Sequence, residues 1–272
     1  MVKSQRTIAI LQARMGSSRL PGKVLLDIAG QPMLARVVQR VRHAHLLDEV
    51  VVATTQDSSD DPLADYCRKQ NIPCMRGSQF DVLDRFHQAA QQQKADIVVR
   101  ITADCPVIDP LLIDEAMLIF KGSLVDFAAN RLPPPYTRSY PIGLDIEICT
   151  FNALQRAWQE ADQPYQREHV MPYLYEEVEL DVKSPTRSEG SSRHGFKVLQ
   201  LNHVPDLGSL RWTVDTAADL EFICQVFAHF EGRDDFSWLE MLALVQTHPE
   251  LSRLNDEVRH KSLHEVDERG NK

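Results

Sequence analysis

The sequence predicts an α/β fold, a Rossmann-like layer in which a mostly parallel sheet is flanked by helices. Two observations carry this. Short apolar runs alternate with stretches of helical period through the first half of the chain, the signature of βαβ units with right-handed crossovers. The runs are also continuous rather than half polar, as parallel strands covered on both faces should be.

Taken in order, Thr7–Leu11 is the first such run. A loop containing Gly16, Pro21 and Gly22 follows, and then Met33, Leu34, Val37, Val38 and Val41 recur at helical spacing over 32–45. Residues 49–54 read as a β-branched strand. Ser58-Ser59-Asp60-Asp61-Pro62 is a cluster of capping residues opening the next helix. Residues 73–76 are a short strand, Val82, Leu83, Phe86, Ala89 and Ala90 mark a helix, and 97–101 is a central strand. The prolines 133–135 cannot lie inside a regular element, because each lacks a backbone donor. Beyond them the pattern predicts a strand over 144–148, helices over 151–162 and 164–176, and a polar, mobile stretch over 184–195. Strands at 196–201 and 210–214, helices at 217–230 and 238–245, and a charged tail or loose helix over 251–272 complete the reading.

Composition excludes several classes. The chain has 272 residues, 43% hydrophobic and 25% charged, an ordinary globular balance. Net charge is −9, which disfavours polymeric nucleic acid as a partner. No apolar stretch approaches the ~20 residues of a membrane span. Five cysteines without a C-x-x-C pair, and no secretory segment at the N-terminus, predict reduced thiols and a cytoplasmic location.

The segment Gln12-Ala13-Arg14-Met15-Gly16-Ser17-Ser18-Arg19-Leu20-Pro21-Gly22-Lys23 follows the first strand, where open α/β sheets bind ligands. Small residues let backbone N–H groups approach an anion, and Arg14, Arg19 and Lys23 neutralise negative charge. The spacing is not that of a Walker A loop: five residues separate Gly16 from Gly22-Lys23, and Val24 stands where a hydroxyl would hold magnesium. The dinucleotide G-x-G-x-x-G is also absent. Asp104 and Asp215 each follow a predicted strand. Carboxylates at neighbouring strand ends can share one hard cation with a triphosphate. Asp215 is also a possible N-cap, and Asp109 and Asp219 read as turn and cap residues.

This loop, together with Arg100-Ile-Thr-Ala-Asp104-Cys-Pro106, Gly143-Leu-Asp-Ile-Glu147, Arg167-Glu-His169-Val and Arg211-Trp-Thr-Val-Asp215, resembles the sugar-acid cytidylyltransferases. These include the acylneuraminate and 3-deoxy-manno-octulosonate enzymes. The form Ser-Arg-Leu-Pro-Gly-Lys is nearest the branch of spore coat polysaccharide biosynthesis protein F.

The resemblance implies transfer of CMP from CTP to a sugar acid with release of pyrophosphate, for surface polysaccharide synthesis, with Mg2+ on Asp104 and Asp215. It implies catalytic roles for Arg14, Lys23 and Asp104, and nucleotide contacts from Gln12, Ala13, Arg14, Gly16, Ser17, Ser18, Arg19, Lys23, Arg76 and Ser78. Arg138, Glu147, Arg167 and His169 fall in the expected substrate region, with Arg167 or Arg138 available for the acid's carboxylate. No general base is evident. Residues 1–250 are then one domain, with 130–205 an insertion for specificity and for a homodimer surface. A glycosyltransferase using a nucleotide sugar is the main rival, although Thr102-Ala103-Asp104 supplies only one aspartate of a D-x-D pair. A non-catalytic nucleotide-binding protein is the other.

Overall fold

The computed structural model describes residues 5–258. Strand β1 (Thr7–Gln12) leads through the loop to a short hairpin, β2 (Asp27–Ile28) and β3 (Gln31–Pro32), and helix α1 (Met33–Arg42). Then come β4 (Glu49–Thr55), α2 (Asp61–Lys69), β5 (Cys74–Gly77), α3 (Val82–Gln92), β6 (Ile97–Thr102), α4 (Pro110–Lys121) and β7 (Phe127–Ala129). The second half runs β8 (Glu147–Thr150), α5 (Phe151–Glu160), α6 (Pro164–His169), α7 (Pro172–Tyr175), β9 (Glu179–Ser184), β10 (Arg187–Ser191) and β11 (Lys197–Leu201). Helices α8 (Ala217–His229), α9 (Trp238–Thr247) and α10 (Pro249–Ser252) follow.

Nine strands form one sheet in the order β5-β4-β1-β6-β8-β7-β11-β10-β9. Only β8 and β10 run against the rest, so seven of the nine point the same way. The expected parallel sheet is therefore present, with β8 reversed between β6 and β7.

Alternation along each strand feeds two cores. Ala9 and Leu11 of β1 face α1, α2, α4, α8 and α9, whereas Ile8 and Ile10 face α3, α5 and α7. Each of the leucine and isoleucine side chains contributes roughly 1.5–3 kcal/mol by leaving water. Helix starts are set by side chains: Asp81 accepts from Asp84 N, Asp109 from Leu111 and Leu112 N, and Ser237 and Thr216 form capping boxes.

Two arginines of α1 fix the C-terminal helices. Arg36 donates to the carbonyls of Ile28, Ala29 and Gly232, and Arg40 to those of Ile108, Asp234 and Phe236. Burial lowers the Arg40 pKa to about 10 against the pull of Asp109 and Asp234, so it stays charged near neutrality. Buried charges of this kind persist only when fully hydrogen-bonded.

Several boundaries differ from the expectations. The helix predicted over 164–176 is broken at Val170, which sits at φ 71 and separates α6 from α7. The polar stretch 184–195 is mostly a hairpin, with β9 and β10 pairing antiparallel on the sheet edge. Residues 210–214 form no strand. They run extended with one bridge, Ile142 to Arg211. Of the predicted tail, Asn255 is buried, and 259–272 lie outside the described residues. Residues 130–205 supply β8 to β11 to the central sheet.

His87 of α3 is 3% exposed and stacked between Trp158 (4.1 Å, 4°) and Phe151 (5.6 Å, 18°). Neither ring nitrogen has a hydrogen-bond partner among the described residues. Burial lowers its pKa below 6.5, with Asp84 opposing and Arg167 adding to the effect. The unfolded chain therefore takes up this proton at higher pH than the folded one, and stability falls as pH drops through 6.5. His87→Phe should lose less melting temperature than wild type between pH 7.5 and 5.5, as read by calorimetry; an equal loss would remove His87 as the cause.

Candidate active site

The loop after β1 is held by backbone bonds and one buried carboxylate. Ala13 N donates to Ala53 O (3.2 Å), and Gly22 N returns to Met15 O (2.8 Å), closing the turn. Gly22 has φ +70, a left-handed conformation that a side chain would strain. Asp60, 1% exposed, accepts from Met15 N (2.7 Å), Thr54 Oγ1 (3.0 Å), Thr55 N (3.1 Å) and Thr55 Oγ1. It ties the loop to the end of β4. In the sequence Asp60 is one of several capping residues, and no local signal reveals its bond to Met15.

Lys23 begins a short 3-10 turn at Gly22 and points inward. Its Nζ donates to Asp104 Oδ2 (2.8 Å), Asp215 Oδ1 (2.9 Å) and Val214 O (2.8 Å), which satisfies all three ammonium hydrogens. Burial alone would lower the Lys23 pKa, but Asp104 and Asp215 outweigh it and leave it raised.

Asp104 lies just past β6. Asp215 is placed by the extended segment, where Val214 N and Thr213 Oγ1 both donate to Asp104 O (2.9 and 3.0 Å). Gly143 makes this approach possible: a Cβ there would lie 2.6 Å from Trp212 C. The cap of α8 is Thr216, so the Asp215 carboxylate is not spent on the helix end.

Around Asp215 stand Arg19 NH2 (2.9 Å) and Arg211 NH2 (2.8 Å). Arg211 is itself held by Asp219 through Nε (2.8 Å) and NH2 (3.1 Å), and Asn255 Nδ2 donates to Asp219 Oδ1 (3.0 Å). Although burial opposes ionisation of Asp215, Lys23, Arg19 and Arg211 hold its carboxyl well below the usual range. Two carboxylates thus converge on one point of stabilised positive charge. Hard oxygen donors around such a point suit a divalent cation of the magnesium type. Among the described residues no cluster of three or more His, Cys, Asp or Glu offers another metal site.

The remaining sequence candidates separate into two groups. Gln12 lies beside the loop and accepts from Arg100 NH2 (3.0 Å). Arg14, Gly16, Ser17 and Ser18 line the loop, and Ser17 Oγ caps Leu20 N (3.3 Å). The others are engaged in the scaffold. Arg76 binds Thr55 O, Asp57 O and Asp61, and Ser78 Oγ accepts from Asp81 N (3.2 Å). Arg138 makes a two-pronged pair with Asp145, and Arg167 with Asp81 while also donating to Trp158 O (2.7 Å). Glu147, 4% exposed, is paired to Arg100 across β6 and β8. His169 ends α6. Cys105 is buried against Thr102, and burial pushes its thiol pKa well up.

The sequence profile of the cytidylyltransferases matches residues 8–197. The chain belongs to the cytidylyltransferase family. The enzyme is 32% identical to spore coat polysaccharide biosynthesis protein SpsF of Bacillus subtilis, over 89% of this chain and 94% of that one. It is 40% identical to 3-deoxy-manno-octulosonate cytidylyltransferase of Geobacter sulfurreducens, over 40% of this chain and 43% of that protein. The structure of a cytidylyltransferase from Leptospira borgpetersenii superposes with a TM-score of 0.80 at 28% identity, covering 94% of the enzyme and all (100%) of that chain. Among the described residues no helix is long and apolar enough to cross a membrane.

Asp60 gives a direct test of how the loop is held. Asp60→Ala leaves four donors without their acceptor and should cost on the order of 3 kcal/mol in urea unfolding. Asp60→Asn, which keeps an acceptor oxygen, should cost less. Equal, negligible losses in both variants would remove the tether.

Proposed function

We propose that the enzyme transfers CMP from CTP to a sugar acid, releasing pyrophosphate, and that Mg2+ is bound by Asp104 and Asp215. The observation that carries the reading is the meeting of Lys23, Asp104 and Asp215 beneath a cationic loop at the carboxyl ends of β1 and β6. A glycosyltransferase has less use for a triphosphate loop with three cations, and the family match speaks against it.

In the proposed reaction an acceptor hydroxyl oxygen attacks the α-phosphorus in line. The new O–P bond forms as the bond from the α-phosphorus to the bridging oxygen breaks, that oxygen leaves with pyrophosphate, and the hydroxyl proton passes to solvent. Backbone N–H groups of the loop and the Arg14 and Arg19 guanidiniums neutralise the phosphate oxygens. Asp104 and Asp215 would hold the divalent cation, and Lys23, which lies between them, would offer its ammonium to the β- or γ-phosphate. The cation itself supplies charge neutralisation between nucleotide and carboxylates. Arg211 and Asp219 keep Asp215 in place.

Incubation with CTP, Mg2+ and a sugar acid such as 3-deoxy-manno-octulosonate should release pyrophosphate, and CTP should be preferred to UTP and ATP. Asp104→Asn should lower kcat by about 100-fold or more, and EDTA should stop turnover in a way that added Mg2+ restores. An Asp104→Asn enzyme with wild-type rates would overturn the metal assignment. Sugar transfer from a nucleotide sugar without pyrophosphate would overturn the reaction class.

A further inference from the structure

We propose that Arg131 is the acceptor-recognition residue of this site, its guanidinium receiving the carboxylate of the sugar acid; this rests on the cytidylyl-transfer reading above. The argument begins from strand register. Ile10, Arg100, Glu147 and Ala129 stand opposite one another across β1, β6, β8 and β7. Cross-strand partners face the same side of a sheet, and so do residues two apart on a strand. The next row toward the carboxyl ends therefore holds Gln12, Thr102, Asp145 and Arg131.

Pairing continues past the strand ends. Asn130 N donates to Ile146 O (3.2 Å), and Ile146 N to Asn130 Oδ1 (2.8 Å). That places Arg131 beside Asp145. Lower on the sheet this face is apolar, with Ile8, Ile10, Val98 and Phe127 in the core. At the carboxyl ends it turns charged.

Three guanidiniums and two carboxylates gather there, and two guanidiniums are already committed. Arg100 binds Glu147 and Gln12. Arg138 places both terminal nitrogens on Asp145. Arg131 is half-buried, and no hydrogen bond or ion pair engages its guanidinium among the described residues. Burial disfavours its charge, but the fields of Asp145 and Glu147 outweigh that and keep it protonated. Among these five described side chains the guanidiniums exceed the carboxylates by one, and the one without a hydrogen-bonded partner, Arg131, is the complement of one further carboxylate.

Position agrees with charge. The row in line with Arg131 includes Gln12 and Thr102, at the carboxyl ends of β1 and β6, from which the cationic loop and Asp104 follow directly. In a 2-keto sugar acid the carboxylate is attached to the carbon that bears the anomeric hydroxyl. A guanidinium that seizes the carboxylate by two parallel bonds therefore also fixes the attacking oxygen. Arg138 and Arg167, the cations that the sequence brings forward, would have to break bidentate pairs with Asp145 and Asp81 to do the same.

The test measures pyrophosphate release from CTP with 2-keto-3-deoxyhexonate, 3-deoxy-manno-octulosonate and N-acetylneuraminate, each beside its methyl ester, for wild type, Arg131→Gln and Arg131→Lys. With the acid that turns over, Arg131→Gln should raise KM at least about tenfold while KM for CTP and the melting temperature stay near wild type. Arg131→Lys should fall between. Wild type should prefer acid to ester, and Arg131→Gln should lose that preference. An unchanged acid KM and a retained preference would overturn the assignment of Arg131 and leave cytidylyl transfer standing. Absence of pyrophosphate from wild type with all three acids would overturn the sugar-acid reading, and this proposal with it.

Discussion

One ammonium group organises the site. Lys23 Nζ lies between Asp104 and Asp215 and also binds the carbonyl of Val214. Without a cation there, two carboxylates brought together in a partly buried place would repel, and one would be forced to bind a proton. With it, the phosphate loop, the end of β6 and the extended segment before α8 share a single anchor point. Arg19 and Arg211 support the same arrangement from the other side of Asp215.

Much of the fold is legible in the sequence because it depends on local pattern. The apolar runs of β1, β4 and β6 and the helical spacing of α1 and α3 announce themselves. Thr216, Ser237 and Asp109 are ordinary capping residues and behave as such. What could not be read depends on partners far along the chain. The segment 210–214 has strand composition, yet it makes only one bridge because Gly143 offers a short length of backbone rather than a strand. The polar run 184–195 looks like a loop because its hairpin lies on a sheet edge, where few side chains need be apolar.

The candidate site divides along the same line. Lys23 and Asp104 are identifiable from the loop and a strand end, and Asp215 from a predicted strand that the structure replaces with an extended segment; the three meet. Arg76, Arg138 and Arg167 were equally visible as cations. A sequence does not disclose that Thr55 O and Asp57 O, Asp145 and Asp81 already hold them. Arginine serves the scaffold repeatedly here, in Arg36 and Arg40 on backbone carbonyls and in Arg85 on Ser78 and Gln79. A buried guanidinium has five donors, and in Arg36 and Arg40 they go mostly to backbone carbonyls that would otherwise be unpaired.

The three groups that meet at Lys23 are far apart in the chain, 81 residues to Asp104 and 192 to Asp215. Asn255, which steadies Asp219, comes later still. A ribosome delivers the cationic loop long before the second carboxylate. Until then Lys23 has at most one of its two anions, and the growing chain carries a cationic loop without its second carboxylate. The separation means that all nine strands of the sheet have been made before Lys23 can meet both carboxylates.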